Sequence, residues 1–170
     1  AMTLLRNIGH IRAAQFKGAF TWNKDLISKE IRSCTVGIIG TGRIGLTAAT
    51  LFKGLGAKVI GFDEFRNPGA EGILEYRDTI DALLEEADVV SLHLPLTDGT
   101  HHIINKDRIK HMKDHAILVN TGRGGLVNID DVVEALETGK LKGAALDVLE
   151  SETLYVNQKI DPKKIEGTVV

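Results

Sequence analysis

Thr35-Val-Gly-Ile-Ile39 runs straight into Gly40-Thr41-Gly42-Arg43-Ile44-Gly45, and no other junction narrows the possible folds so far. A short apolar run suits a strand buried on both faces. The glycines that follow match G-x-G-x-x-G, placed where a strand turns into a helix. In that setting Gly40 allows the tight turn, Gly42 lets backbone approach a pyrophosphate, and Gly45 lets helix and strand pack closely. Arg43 and Ile44 open the helix, whose free N–H groups and partial positive charge suit phosphate.

The same alternation continues along the chain. Ile44, Ala48, Leu51, Phe52 and Leu55 predict one inward stripe on the first helix, closed by Gly56, and Lys58-Val-Ile-Gly-Phe62 reads as the second strand. Asp78 is expected to cap a helix with Ile80, Leu83, Leu84 and Ala87 inward. Asp88–Leu92 is a strand, Asn105 to about Met112 a short helix, and His115–Val119 a strand. Asn128 should cap a helix with Ile129, Val132, Val133 and Leu136 inward, ended by Gly139. Lys142–Leu146 gives a fifth strand. Strands interleaved with helices in this way predict a doubly wound, parallel α/β sheet of the Rossmann type. Residues 1–20 are expected to hold an amphipathic helix, Leu4 to about Gly18, with Leu4, Ile8, Ile11 and Ala14 on one face and packed on the domain. Residues 21–150 form the dinucleotide-binding unit, and 151–170 a polar tail.

Composition removes several functions. Lys plus Arg is 21 against 23 Asp plus Glu, for a net charge of −2, without the basic excess of a nucleic-acid or anionic-membrane surface. Cys34, the one cysteine, excludes an internal disulfide framework and any multi-cysteine zinc site, and reads as a small buried hydrophobe. No apolar stretch reaches the roughly 20 residues of a membrane span, and no signal peptide opens the chain. These features predict a cytoplasmic location. His101-His102 reads as solvated loop, since no carboxylate or cysteine stands near it at ligand spacing, and no metal is expected.

Asp63 ends the second strand roughly 20 residues beyond the glycines, where a carboxylate accepts both hydroxyls of an adenosine ribose and repels a 2′-phosphate. The expectation is therefore NAD rather than NADP, with Arg66 nearby as the one residue that speaks for a phosphate.

Val36-Gly-Ile-Ile-Gly-Thr-Gly-Arg-Ile-Gly45, Asp88-Val-Val-Ser-Leu-His-Leu-Pro95, Met112-Lys113 through Asn120-Thr-Gly-Arg-Gly124, and Gly143-Ala-Ala-Leu-Asp147 occur in order. Together they resemble the D-isomer-specific 2-hydroxyacid dehydrogenases over roughly residues 1 to 160. Asp147-Val-Leu-Glu-Ser-Glu-Thr-Leu154 looks most like the D-lactate dehydrogenase branch.

The resemblance implies an NAD-dependent oxidoreductase acting on a small 2-keto or 2-hydroxy acid. Its dinucleotide domain would be inserted in a separate substrate domain, which this chain lacks. It makes Arg123 the guanidinium that grips the substrate carboxylate, a task its planar, permanently charged group suits. Of Glu150 and Glu152, it assigns Glu152 to tuning a catalytic histidine. It places His93 and Pro95 along the adenosine side, Thr121 beside the nicotinamide ribose, and Asp147 at the nicotinamide end. Gly122 departs from the alanine, serine or cysteine common there. The family's histidine follows a proline beyond the glutamate. Here His10, His93, His101, His102, His111 and His115 all precede Glu152 and none follows a proline. A fragment without turnover is therefore expected, in a homodimer that uses the N-terminal helix. The competing reading is a stand-alone dinucleotide sensor or corepressor-like module.

Overall fold

A computed structural model of the chain describes residues 1–18 and 28–150. Among these residues six strands form one all-parallel sheet in the order β3-β2-β1-β4-β5-β6. They are β1 (Thr35–Ile39), β2 (Lys58–Phe62), β3 (Glu75–Tyr76), β4 (Val89–Leu92), β5 (Ala116–Asn120) and β6 (Leu141–Leu146). The helices are α1 (Met2–Leu5), α2 (Ile8–Phe16), α3 (Arg43–Gly54), α4 (Ile80–Glu86), α5 (Lys106–His111) and α6 (Ile129–Glu137). This is the expected doubly wound Rossmann sheet, with the order reversing between β1 and β4.

Successive strand side chains point to opposite faces, and the core divides accordingly. Val36, Ile38, Val89 and Ile117 pack on one face with Leu5 and Ala49. Ile39, Val90 and Leu118 pack on the other with Leu83, Leu84, Ile109 and Val132. Cys34 is buried in the first cluster, as expected.

Several details depart from the sequence reading. The strand β3 was not expected: two residues on the sheet edge, pairing Glu75 with Ile60 and Tyr76 with Gly61, are too few to show a period. The N-terminal helix is two helices, because Asn7 takes a left-handed conformation at φ 52°. Leu5 of α1 is buried, whereas α2 buries nothing, so Leu4, Ile8, Ile11 and Ala14 do not share one inward face. Leu4 instead lies over Gly143, where a Cβ would meet its Cδ2 at 2.9 Å.

In α3 the stripe is turned. Ile44, Leu51 and Leu55 are 68%, 65% and 52% exposed, while Gly45 and Ala49 are buried. A Cβ on Gly45 would lie 1.9 Å from the Gly40 carbonyl oxygen, so the glycine junction sets which way the helix faces. Gly45, Ala48, Ala49 and Phe52 then follow at helical spacing.

Thr79, not Asp78, caps α4, its hydroxyl accepting the Ala82 N–H at 3.1 Å. Asp78 pairs with Arg66 instead. Finally, β5 starts one residue late, since His115 sits at φ 63°, and it runs on to Asn120. Asn128 caps α6 as expected, and Asn105, at the expected start of the short helix, caps α5 as well.

Candidate functional site

The strand order reverses between β1 and β4, and the loops that leave the carboxyl ends of the strands meet above that point. Gly40 turns the chain at φ 94°, and a Cβ there would lie 2.6 Å from the His93 carbonyl oxygen. Its N–H donates to Phe62 at 2.9 Å, so the first glycine is wedged between the ends of β2 and β4. Gly42 is the opposite case: a Cβ there meets nothing within 4 Å.

Gly42 is also the N-cap of α3, and no side chain caps that helix, although α4, α5 and α6 each have one. The N–H groups of its first turn are thus left for an external acceptor. Backbone-locked glycines on either side of an open one, at an uncapped helix start, fit a pyrophosphate.

Asp63 lies against this loop. One carboxylate oxygen accepts the Thr41 N–H at 2.6 Å and the Thr41 hydroxyl at 3.1 Å, and the other accepts the Phe65 N–H at 3.3 Å. A carboxylate has about four lone-pair sites, so acceptor capacity remains for ribose hydroxyls. Thr41, itself buried, is 2.7 Å from the Tyr76 hydroxyl, and Asn67 closes the ring by donating to the Thr41 carbonyl at 3.0 Å. Arg66 is spent in an ion pair with Asp78 and lies over the Tyr76 ring, 5.3 Å from its centroid. Thr41, Asn67 and Tyr76 were not singled out from the sequence, where nothing but their typical turn chemistry marks them.

His93 continues the row from the end of β4. Its Nε2 sits 3.0 Å from the Ser91 hydroxyl, and burial pushes its pKa down, favouring the neutral ring. Pro95 is exposed beyond it, its carbonyl accepting the Thr100 hydroxyl at 2.7 Å.

The loop after β5 presents Thr121 and Arg123, both exposed. The fully buried Asn120 holds the loop in shape. Its amide nitrogen donates to the Arg123 carbonyl at 2.9 Å, and its amide oxygen accepts the Gly122 N–H at 3.0 Å. The Arg123 guanidinium bonds only the neighbouring Gly122 carbonyl among the described residues, leaving most of its five donors to a ligand. Asp147, exposed at the end of β6, is tied in through its N–H to the Asn120 carbonyl at 3.0 Å.

The structure thus brings Gly40, Gly42, Arg43, Ile44, Gly45, Asp63, His93, Pro95, Thr121, Arg123 and Asp147 to one end of the sheet. Glu152 lies outside the described residues. Glu150 has a different neighbourhood: it accepts hydrogen bonds from His101 at 2.9 Å and His102 at 2.7 Å. Those bonds, chiefly the one from His102, lower its pKa. A carboxylate therefore does stand beside the histidine pair, contrary to the expectation drawn from ligand spacing. The partner comes from a distant segment, which local spacing does not reveal.

Fold and site together define a dinucleotide-binding domain built around a glycine loop at a sheet's switch point. Residues 1–165 match the family described as "D-isomer specific 2-hydroxyacid dehydrogenase, NAD binding domain", and the chain belongs to that family. It is 51% identical over 165 residues to a D-2-hydroxyacid dehydrogenase (NAD(+)) of Clostridioides difficile, covering 97% of this chain and 50% of that protein. It is 44% identical over 169 residues to a D-lactate dehydrogenase of Treponema pallidum, covering 99% and 51%. The solved D-lactate dehydrogenase with NAD+ from Lactobacillus jensenii superposes with a TM-score of 0.91 at 41% identity, over 99% of this chain and 54% of that one. The chain spans about half the length of the curated relatives it matches.

Proposed function

We propose that this chain binds NAD(H) along the carboxyl ends of β1, β2, β4, β5 and β6. We propose further that it forms the cofactor half of an enzyme interconverting a D-2-hydroxy acid and its 2-keto acid, with D-lactate and pyruvate as the pair. One observation carries the reading. Gly42 is open at the uncapped start of α3, while Gly40 and Gly45 on either side are locked by backbone contacts.

In this reading the first turn of α3, from Arg43 and Ile44, meets the pyrophosphate, and Asp63 accepts from the adenosine ribose. His93 and Pro95 line the adenosine side. Thr121 and Asp147 hold the nicotinamide end, where the bound cofactor supplies or takes the hydride. Arg123 grips the carboxylate of the acid bidentately beside it. Glu152 holds a histidine of the whole enzyme in its proton-accepting role. The names of the relatives and the order of the motifs support this assignment, and neither favours a stand-alone sensor.

The ion pair between Arg66 and Asp78 supports NAD over NADP, because the cation nearest Asp63 in sequence is already neutralised. Titrating the chain with NADH and NADPH tests the cofactor assignment: NADH should bind clearly tighter, and no binding or equal binding would overturn it. Pyruvate reduction with NADH by this chain alone should show little or no turnover; robust activity would sink the division of labour with a second domain.

The homodimer is part of the same proposal. It is supported by the exposed Ile8 and Phe16 of α2, by Ile44 and Leu51 of α3 and by Leu55 just past its end, since exposed large apolar side chains suit an interface. Sedimentation at micromolar concentration reads it, and a monomer alone would contradict it. A cytoplasmic setting is supported by the near-neutral charge and the single cysteine. Among the described residues no helix is long and apolar enough to cross a membrane.

A further inference from the structure

The loop between β4 and α5 carries a cluster that the cofactor cleft does not use. His101 Nε2 lies 2.9 Å from one oxygen of Glu150, and His102 Nε2 lies 2.7 Å from the other. The three ligand-type atoms all fall within 4.8 Å of one another.

Consecutive side chains in an extended segment point apart, so two adjacent histidines do not reach one carboxylate by default. Here His102 adopts φ 48°, a left-handed conformation uncommon for a residue with a side chain. Both rings come to the same side and stack, with centroids 3.9 Å apart. The turn is braced from outside: the His102 N–H donates to the Gly125 carbonyl at 2.8 Å, and Asn105 donates to the His102 carbonyl at 3.1 Å. Glu150 is placed independently, by a backbone that passes over Gly124 so closely that a Cβ would meet its nitrogen at 2.3 Å. Three donors from two separate segments are thus held together by backbone contacts before any ligand arrives.

Two imidazoles and a carboxylate form a set that zinc and its neighbours favour, whereas magnesium and calcium take oxygen donors. The side chains of His101, His102 and Glu150 are 50%, 30% and 31% exposed. That openness leaves room for water as a fourth ligand. We propose that His101, His102 and Glu150 bind one divalent cation of the zinc class, linking the loop after β4 to the segment after β6. The site stands apart from the glycine loop, so its existence does not depend on the cofactor assignment.

The test is calorimetric titration of the chelator-treated 170-residue chain with Zn2+ in buffer near neutral pH. One ion per chain is expected. His101→Ala, His102→Ala and Glu150→Gln should each weaken binding by about tenfold or more, and His10→Ala, on the exposed α2, should leave it unchanged. Circular dichroism reports whether each variant folds. If His102→Ala does not fold, the more exposed His101 and the near-isosteric Glu150→Gln still decide the matter. Co2+ in place of Zn2+ should give the visible absorption of a low-symmetry site. No uptake of Zn2+ at micromolar to millimolar concentration, or uptake that all three variants leave unchanged, overturns the proposal.

Discussion

The two ends of this sheet are finished in opposite ways. At the amino end, Asp88 accepts the Thr35 N–H at 2.7 Å and pairs with Lys29 at 3.0 Å and Lys113 at 3.3 Å. Its side chain is largely covered, and its three donors tie the start of β1 to the segments that precede β1 and β5. At the carboxyl end the buried parts are equally fixed, by Gly40, Gly45 and Asn120. The exposed parts are not used up: the start of α3 is uncapped, Gly42 faces open space, and Arg123 keeps free donors. One end has satisfied its polar groups internally, and the other has its frame satisfied and its surface left for a ligand. Substitutions at the amino end should therefore cost stability alone. At the carboxyl end, stability and binding should come apart according to depth.

The largest effect is expected at Gly45. Alanine there puts a methyl group 1.9 Å from the Gly40 carbonyl oxygen, and neither backbone segment has a rotamer with which to yield. The cost should reach or exceed about 3 kcal/mol, the upper end for overpacking, read as a fall in the urea midpoint with an unchanged slope. NADH binding should go with it, since the same contact aims α3. A Gly45→Ala chain as stable as the parent would break the account of how α3 is oriented.

Asn120→Ala comes next. It removes a buried amide and strands the Gly122 N–H, while the Arg123 carbonyl keeps only the Leu126 N–H at 3.2 Å. About 2 kcal/mol or more is expected, because a stranded buried group costs its desolvation. The loop bearing Thr121 and Arg123 should also exchange its amide hydrogens faster, which hydrogen-exchange mass spectrometry can localise.

That order could not have been ranked from the sequence. The strands β1 and β2 and the cap Asn128 were legible because period and cap chemistry are local properties. The facing of α3 was not, since its apolar stripe alone points Ile44, Leu51 and Leu55 inward. It took the close contact between Gly45 and Gly40, a three-dimensional fact, to turn the helix the other way. Asn120 was visible only as part of a pattern with Arg123, and its bracing role needs the loop's path. The Glu150 contact with His101 and His102 joins residues 49 and 48 positions apart, a separation over which spacing carries no information. The glycine loop and Asp63 were legible as a pair because strand, turn and helix starts are short-range, whereas the Thr41–Tyr76 support beneath them was not.

Asp88 gives the pH signature of the amino end. Burial works to raise its pKa, but the Thr35 hydrogen bond and the two lysines outweigh it and leave the folded value below the ordinary 3.8. A lowered carboxylate pKa stabilises the fold fully above the unfolded value, and that contribution is lost as pH falls through the folded one. Stability should therefore decline below about pH 4 on this account, and Asp88→Asn should flatten that limb while costing about 1 kcal/mol near neutrality. His93 adds an earlier step with the same sign. Its folded pKa lies below 6.5, so protonation opposes folding as pH drops through and below that value. Urea midpoints measured from pH 7.5 to 3 would separate the two steps, which His93→Asn and Asp88→Asn should remove one at a time. NADH affinity at pH 7.5 should be untouched in Asp88→Asn; a loss there would mean that the two ends are not independent.

Gly42→Ala should change stability least, and it tests the comparison most directly. The residue sits at φ −67° and ψ −171°, a backbone that alanine adopts without strain, and its Cβ would meet nothing within 4 Å. A surface substitution of this kind is worth no more than about 0.5 kcal/mol. By contrast, Asn128→Ala, at a helix start that is already capped by its own side chain, should cost about 1 kcal/mol and leave cofactor binding alone. Gly42→Ala should instead weaken NADH by about tenfold or more, because its methyl group takes the space in which backbone and pyrophosphate would otherwise approach, and 1.4 kcal/mol is all that tenfold requires. If Gly42→Ala lost stability and kept its NADH affinity, the open space above that glycine would be unfilled surface, and the carboxyl end would have been as fully satisfied as the amino end.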